Sequence, residues 1–226
     1  MISIQHLSKA YGNWQVLHDI HLELEKGKVY GIVGENGSGK TTLFRCIAGM
    51  EPYSGHIESN FDNLKNHLGF LPTNPVFMSH VTGWEYLKLL CMARKIEASH
   101  FERQNIFDLP LDQYAETYST GMKKKLALMG ILLQQNEVFI LDEPFNGVDI
   151  HSNIMIAEII KKLRSLGKTV LISSHIFSTL SECSDQIHLL KAGRIARSFE
   201  KDAFADLERD MKAFMLGDRI EKLVMG

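Results

Sequence analysis

The sequence predicts an α/β protein organised on a parallel sheet, and three observations carry the prediction. Short apolar segments of strand length, V-F-I-L (Val138–Leu141) and T-V-L-I-S-S (Thr169–Ser174), flank a helical pattern, I-M-I-A-E-I-I-K-K-L (Ile154–Leu163). Strands that are apolar throughout and separated by helices imply a sheet covered on both faces. Earlier in the chain an apolar strand, K-V-Y-G-I-V (Lys28–Val33), runs into the glycine-rich turn G-E-N-G-S-G-K-T (Gly34–Thr41) and then into the helix-prone T-L-F-R-C-I-A (Thr42–Ala48). Finally, 226 residues with 45% hydrophobic content suffice to bury a core in one domain or in two unequal lobes.

Each element follows from its pattern. I-S-I-Q-H-L reads as a strand, as does V-L-H-D-I-H-L-E-L-E, where Ile20, Leu22 and Leu24 alternate with His21, Glu23 and Glu25 and leave one face wet. The same alternation puts His18 and His21 on opposite faces, so they form no metal pair. Residues 82 to 134 turn helical, with T-G-W-E-Y-L-K-L-L-C-M-A-R, a polar stretch F-D-L-P-L-D-Q-Y and the run after Tyr118. Trp84 is assigned to the core of this lobe. A short helix from Ile176 and the hairpin I-H-L-L-K-A-G-R-I-A complete the α/β part. Phe204, Leu207, Met211 and Phe214 recur at three- and four-residue spacing, which predicts an amphipathic C-terminal helix packed on its own domain. No apolar run reaches membrane-spanning length, and M-I-S-I-Q-H-L-S lacks the regions of a signal peptide, so a cytoplasmic location is expected. Cys46, Cys91 and Cys183 are odd in number and scattered, which fits a reducing compartment. With 25 Lys and Arg against 27 Asp and Glu, the chain lacks the basic excess of a nucleic-acid binder.

The chemistry starts at the glycine-rich turn. Its glycines let successive N–H groups fold around phosphate oxygens, the helix start adds the positive end of its dipole, Lys40 adds a point charge, and Thr41 offers a hydroxyl to Mg²⁺. A phosphate loop of this kind needs a carboxylate for the metal, and V-F-I-L-D-E supplies Asp142 at a strand end. Glu143 follows on the other side of the pleat, placed to accept a proton from an attacking water. His175 closes T-V-L-I-S-S-H at the same sheet edge, within reach of a γ-phosphate. In Y-S-T-G-M-K-K-K-L, Ser119 and the N–H groups of Gly121 and Met122 begin a helix, a natural anion seat. Lys123, Lys124 and Lys125 point in different directions and read as a solvated charge run.

In order and identity these residues resemble the nucleotide-binding subunit of an ATP-binding-cassette (ABC) transporter. Tyr11 resembles the aromatic adenine platform of that family. Gly34, Glu35, Asn36, Gly37, Ser38, Gly39, Lys40, Thr41 and Thr42 resemble its Walker A, and Ser119, Thr120, Gly121 and Met122 its signature. Asp142 and Glu143 resemble its Walker B, Asn146, Gly147 and Asp149 its D-loop, and His175 its switch histidine. The resemblance implies an ABC-type P-loop NTPase fold with an N-terminal antiparallel β part and an inserted helical lobe. It implies ATP and Mg²⁺ as ligands, two subunits meeting head to tail, and each signature helix facing the phosphate held by the opposite chain.

The departures narrow this further. After a central strand the family usually carries a Gln on the metal, whereas G-F-L-P-T-N-P has Thr73 there, with Asn74 next. Thr120, Met122 and Asn146 also replace commoner residues, and the Y-S-x-G-M form resembles exporters whose ATPase and membrane subunits are separate chains. One ABC ATPase domain over residues 1–226 is expected, with a nucleotide-binding core over about 1–72 and 135–200, a helical lobe over about 73–134 and a C-terminal helix over about 201–226. Its expected partners are an integral-membrane permease and a second ATPase subunit, identical or related, and not nucleic acid. A free-standing ABC ATPase working on nucleic acid or ribosomes is the alternative, disfavoured because the chain has neither a second cassette nor long basic insertions. A P-loop GTPase or small-molecule kinase is disfavoured too, since N-K-x-D is missing.

Overall fold

A computed structural model describes residues 1–96, 101–207 and 209. The chain opens with β1 (Ile2–Tyr11) and β2 (Trp14–Leu24), then β3 (Val29–Val33), α1 (Lys40–Ile47), β4 (Ser54–Ser59) and β5 (Leu68–Leu71). Helices α2 (Gly83–Ala93), α3 (Phe101–Gln104) and α4 (Thr120–Leu133) follow. The last part alternates β6 (Val138–Asp142), α5 (Ile150–Ser165), β7 (Thr169–Ser174), α6 (Phe177–Cys183), β8 (Gln186–Lys191) and β9 (Arg194–Glu200).

Two sheets result, a three-stranded antiparallel one in the order β2-β1-β4 and a six-stranded one in the order β5-β6-β7-β3-β8-β9. Within the larger sheet all neighbours are parallel except the β8–β9 hairpin. That hairpin turns on Ala192 (φ 45°) and Gly193 (φ 73°), the two left-handed positions that a tight turn between twisted strands requires.

Every residue of β6 is buried, and its alternation divides the core. Val138 and Ile140 join Leu43 and Phe44 of α1 and the inner face of the antiparallel sheet. Phe139 and Leu141 join Leu126 and Leu128 of α4 and Ile156 and Ile160 of α5. Each such side chain contributes about 1.5–3 kcal/mol by leaving water, so the strand ends carrying the site are held from both faces. Trp84 packs half-buried against the second of these clusters.

The alternation of Ile20, Leu22 and Leu24, all buried, with exposed His21, Glu23 and Glu25 is observed, and two other expectations are corrected. The pattern does not extend back to His18, because Leu17 and Ile20, three apart, are both fully buried. Asp19 (φ 52°) bulges there, its N–H donating to Ser8 Oγ of β1 at 2.9 Å, so the pleat cannot separate His18 from His21. Their surroundings differ. His21 Nε2 and His6 Nδ1 both meet Asp19 Oδ1, at 3.0 and 2.8 Å, while the His18 ring lies against Gly193, where an added Cβ would come within 2.9 Å of its Cδ2. The strand before Thr73 is likewise an edge strand, not a central one. At the C-terminus Phe204 and Leu207 are buried; Met211 and Phe214 lie outside the described residues. Among the described residues no helix is long and apolar enough to cross a membrane.

Candidate active site

Parallel strands bring their C-terminal ends to one edge, and here β6, β7 and β3 lie side by side. The turn after β3 is built on positive φ at Gly37 (81°) and Gly39 (107°), conformations that favour glycine. A side chain at Gly37 would project into open space, whereas one at Gly34 would collide with Ser38 Oγ at 2.7 Å. Lys40, the first residue of α1, is 7% exposed and donates to the carbonyls of Gly34 at 2.7 Å and Glu35 at 3.2 Å. Beneath the loop the buried Ser38 Oγ has no hydrogen-bond partner. Residues 36–42 of the loop, apart from Ser38, border a cleft of about 510 Å³, closed on its other sides by Val16, Thr73, Glu143, Asn146 and His175.

Asp142 ends β6 fully buried. Its Oδ2 accepts from the hydroxyls of Thr41 and Thr73, both at 2.7 Å, and its Oδ1 accepts from Ser173 Oγ at 2.6 Å. Glu143 does not leave the strand by pleat alternation. Its backbone turns left-handed (φ 51°), and its N–H donates to the same Ser173 Oγ at 2.9 Å. The carboxylate then lies 3.0 Å from His175 Nδ1 and 3.7 Å from Lys40 Nζ. Ser173, absent from the sequence reading, therefore fixes both acidic residues; the tandem serines closing β7 were the available clue.

Ser119 caps α4, accepting from the Met122 N–H at 3.3 Å, and none of Ser119, Thr120, Gly121 or Met122 borders the cleft. Gly121 instead abuts the segment after Glu143, since a Cβ there would lie 3.0 Å from the carbonyl oxygen of Gly147. Of the three lysines only the flanking two are partly exposed; Lys124 is 1% exposed, which corrects the reading of a solvated run. Asn146 borders the cleft, and Gly147 (φ 76°) turns the chain toward Asp149, the cap of α5. Hydrogen bonds from the Ser152 N–H and hydroxyl pull the Asp149 carboxyl down to about 2. Tyr11 is not brought to the cleft: its ring is 43% exposed with Lys9 Nζ 4.5 Å above it, and Val16 takes the bordering position.

A parallel sheet that delivers a phosphate-binding turn and a buried carboxylate to one edge places this chain among the P-loop nucleoside triphosphatases. Comparison with known proteins gives the particular family. The ABC transporter family profile matches residues 17–146. A lantibiotic transport ATP-binding protein of Streptococcus pyogenes is 30% identical, covering 92% of this chain and 94% of its own length. A bacitracin transport ATP-binding protein of Enterococcus faecalis is 28% identical over 96% of this chain and 75% of its own. Among solved structures, the ATP-binding subunit of an ABC transporter superposes with a TM-score of 0.83 at 26% identity, covering 94% of this chain and 93% of that one. The chain belongs to the ABC transporter family and is an ATP-binding, ATP-hydrolysing subunit.

Proposed function

We propose that this subunit drives an exporter, closing head to tail with a second copy or a related chain around Mg-ATP and reopening on hydrolysis. The observation that carries the reading is the convergence of Thr41 and Thr73 on one oxygen of Asp142, with Glu143 turned into the same cleft beside His175. The donor set suits Mg²⁺: a carboxylate and two hydroxyls are hard oxygen ligands, and all three reach one point. Bound there, Mg²⁺ would neutralise charge on the phosphate oxygens. The open side of Gly37 suits a phosphate chain laid over the loop. Lys40 then exchanges its loop carbonyls for phosphate oxygens, Glu143 takes the proton of the attacking water, and His175 orients that water or the γ-phosphate. Adenine contact is assigned to Val16, which borders the cleft, and to Tyr11 outside it, whose ring would have to leave Lys9 to stack on the base.

Residues 73–134 are assigned as the lobe that grips the permease, which would hold this chain at the cytoplasmic face of the membrane. Export is supported by the Y-S-T-G-M form and by relatives named for bacitracin and lantibiotic transport. The test is the solution mass of the native chain and of Glu143→Gln, with and without Mg-ATP, alongside phosphate release. The native chain should turn over, while the variant should lose hydrolysis and dimerise with ATP. A variant that hydrolyses like the native chain removes Glu143 from its role. One that stays monomeric with ATP, even with a co-purified membrane partner, removes the ATP-closed dimer.

A further inference from the structure

Lysine is almost never fully buried without a partner for its charge. Lys124, in the second turn of α4, is 1% exposed, and the partners its Nζ meets are main-chain carbonyls: Glu143 at 2.7 Å and Asn146 at 2.6 Å. Burial pushes its pKa down, while the nearby charges of Glu143 and Asp142 act the other way. The same face of α4 touches this segment twice more, where Gly121 abuts Gly147 and where Lys125 Nζ lies 3.6 Å from Asp149. The helix that Ser119 opens is thus tied at three points to the loop carrying Glu143.

A left-handed glutamate is costly and persists only where its surroundings hold it. Ser173 fixes its N–H side and Lys124 its carbonyl side. We propose that Lys124 is a positioning residue for hydrolysis: it holds the Glu143 backbone in the conformation that presents the carboxylate to the cleft, and makes that geometry depend on where α4 sits. This rests on Glu143 as the base and on the α4 start as the seat of the partner's phosphate. Nucleotide bound at the start of α4 then adjusts the base at the other end of the contact, and each site senses whether its neighbour is filled.

The test is Lys124→Met, which keeps the stem and removes the donors, made in the native chain and in Glu143→Gln. The expected result is a fall in kcat of about 30-fold with KM changed by less than about twofold. Residual turnover in the Glu143→Gln background should fall no further, because a residue acting through Glu143 has nothing left to act on. ATP-dependent dimerisation of Glu143→Gln should survive the second change. Lys124→Gln, which keeps one donor group, should fall between the two and serves if the Met variant does not fold. Unchanged kcat in the folded variant overturns the proposal. So does an equal loss in both backgrounds, the signature of a purely structural role. Hydrolysis by Glu143→Gln itself at the native rate would instead remove the base assignment, and the proposal with it.

Discussion

Ser173 shows how much of this site rests on one small side chain. Its hydroxyl donates to Asp142 and accepts from the Glu143 N–H, so Ser173→Ala leaves two buried groups each short of a partner. That should lower stability by about 1–3 kcal/mol and loosen both acidic residues. The check is a urea midpoint beside phosphate release, with turnover falling further than the fraction folded. Thr73 is the second case. Removing its hydroxyl in Thr73→Val should raise the Mg²⁺ needed for half-maximal hydrolysis severalfold, and unchanged Mg²⁺ dependence there would show that Thr73 is no ligand. Thr73→Gln should lower the requirement, and unchanged Mg²⁺ dependence and turnover would show that the shorter hydroxyl does not weaken metal coupling. Residues of the phosphate loop were legible from sequence because the spacing of the motif is set by the ligand they wrap. Ser173 and Lys124 were not, since their partners lie 30 and 19 residues away. Lys124 had a local clue all the same: it continues the buried stripe of Ala127, Leu128 and Ile131 at helical spacing, against the apparent logic of a charge run.

At the scale of elements, strand and helix identities followed from periodicity, while departures from it did not. The bulge at Asp19 needs only one left-handed residue, and nothing in an alternating pattern marks where the count slips. The edge position of β5 depends on pairing order, which periodicity does not encode. The β8–β9 hairpin carries a pH-dependent prediction. His188 of β8 is 3% exposed, stacked parallel to Tyr30 with its Nδ1 2.8 Å from Ser198 Oγ, and burial pushes its pKa down to about 4. The unfolded chain accepts a proton near pH 6.5, while the folded one refuses it until about 4, so stability is fully present above 6.5 and drains as pH falls through that window. The loss should approach about 3 kcal/mol, and His188→Phe should flatten the dependence by that amount in denaturant titrations between pH 4 and 7.

The whole molecule poses the question its own cleft leaves open, since Ser119 begins a helix suited to an anion yet borders no part of that cleft. Sequence order displayed the signature without displaying its ligand, and under the proposed head-to-tail closure that ligand is the partner's phosphate. If the phosphate it meets is held by the partner, two differently damaged chains should repair each other. Lys40→Ala removes the phosphate-loop cation. Ser119→Asp keeps a good helix cap but turns a negative charge toward the partner's γ-phosphate. Each variant alone should be inactive, because a symmetric dimer carries its lesion in both sites. In a mixed dimer both lesions fall in one site, and the other combines an intact Lys40 with an intact Ser119. Random pairing makes half of the dimers mixed, each with one working site of two, so an equimolar mixture should recover about a quarter of native hydrolysis. The recovery should grow with total protein concentration, as association requires. If Ser119 served the cleft of its own chain, every site in the mixture would keep a lesion or a whole chain would fail, and phosphate release would stay at the level of the separate variants.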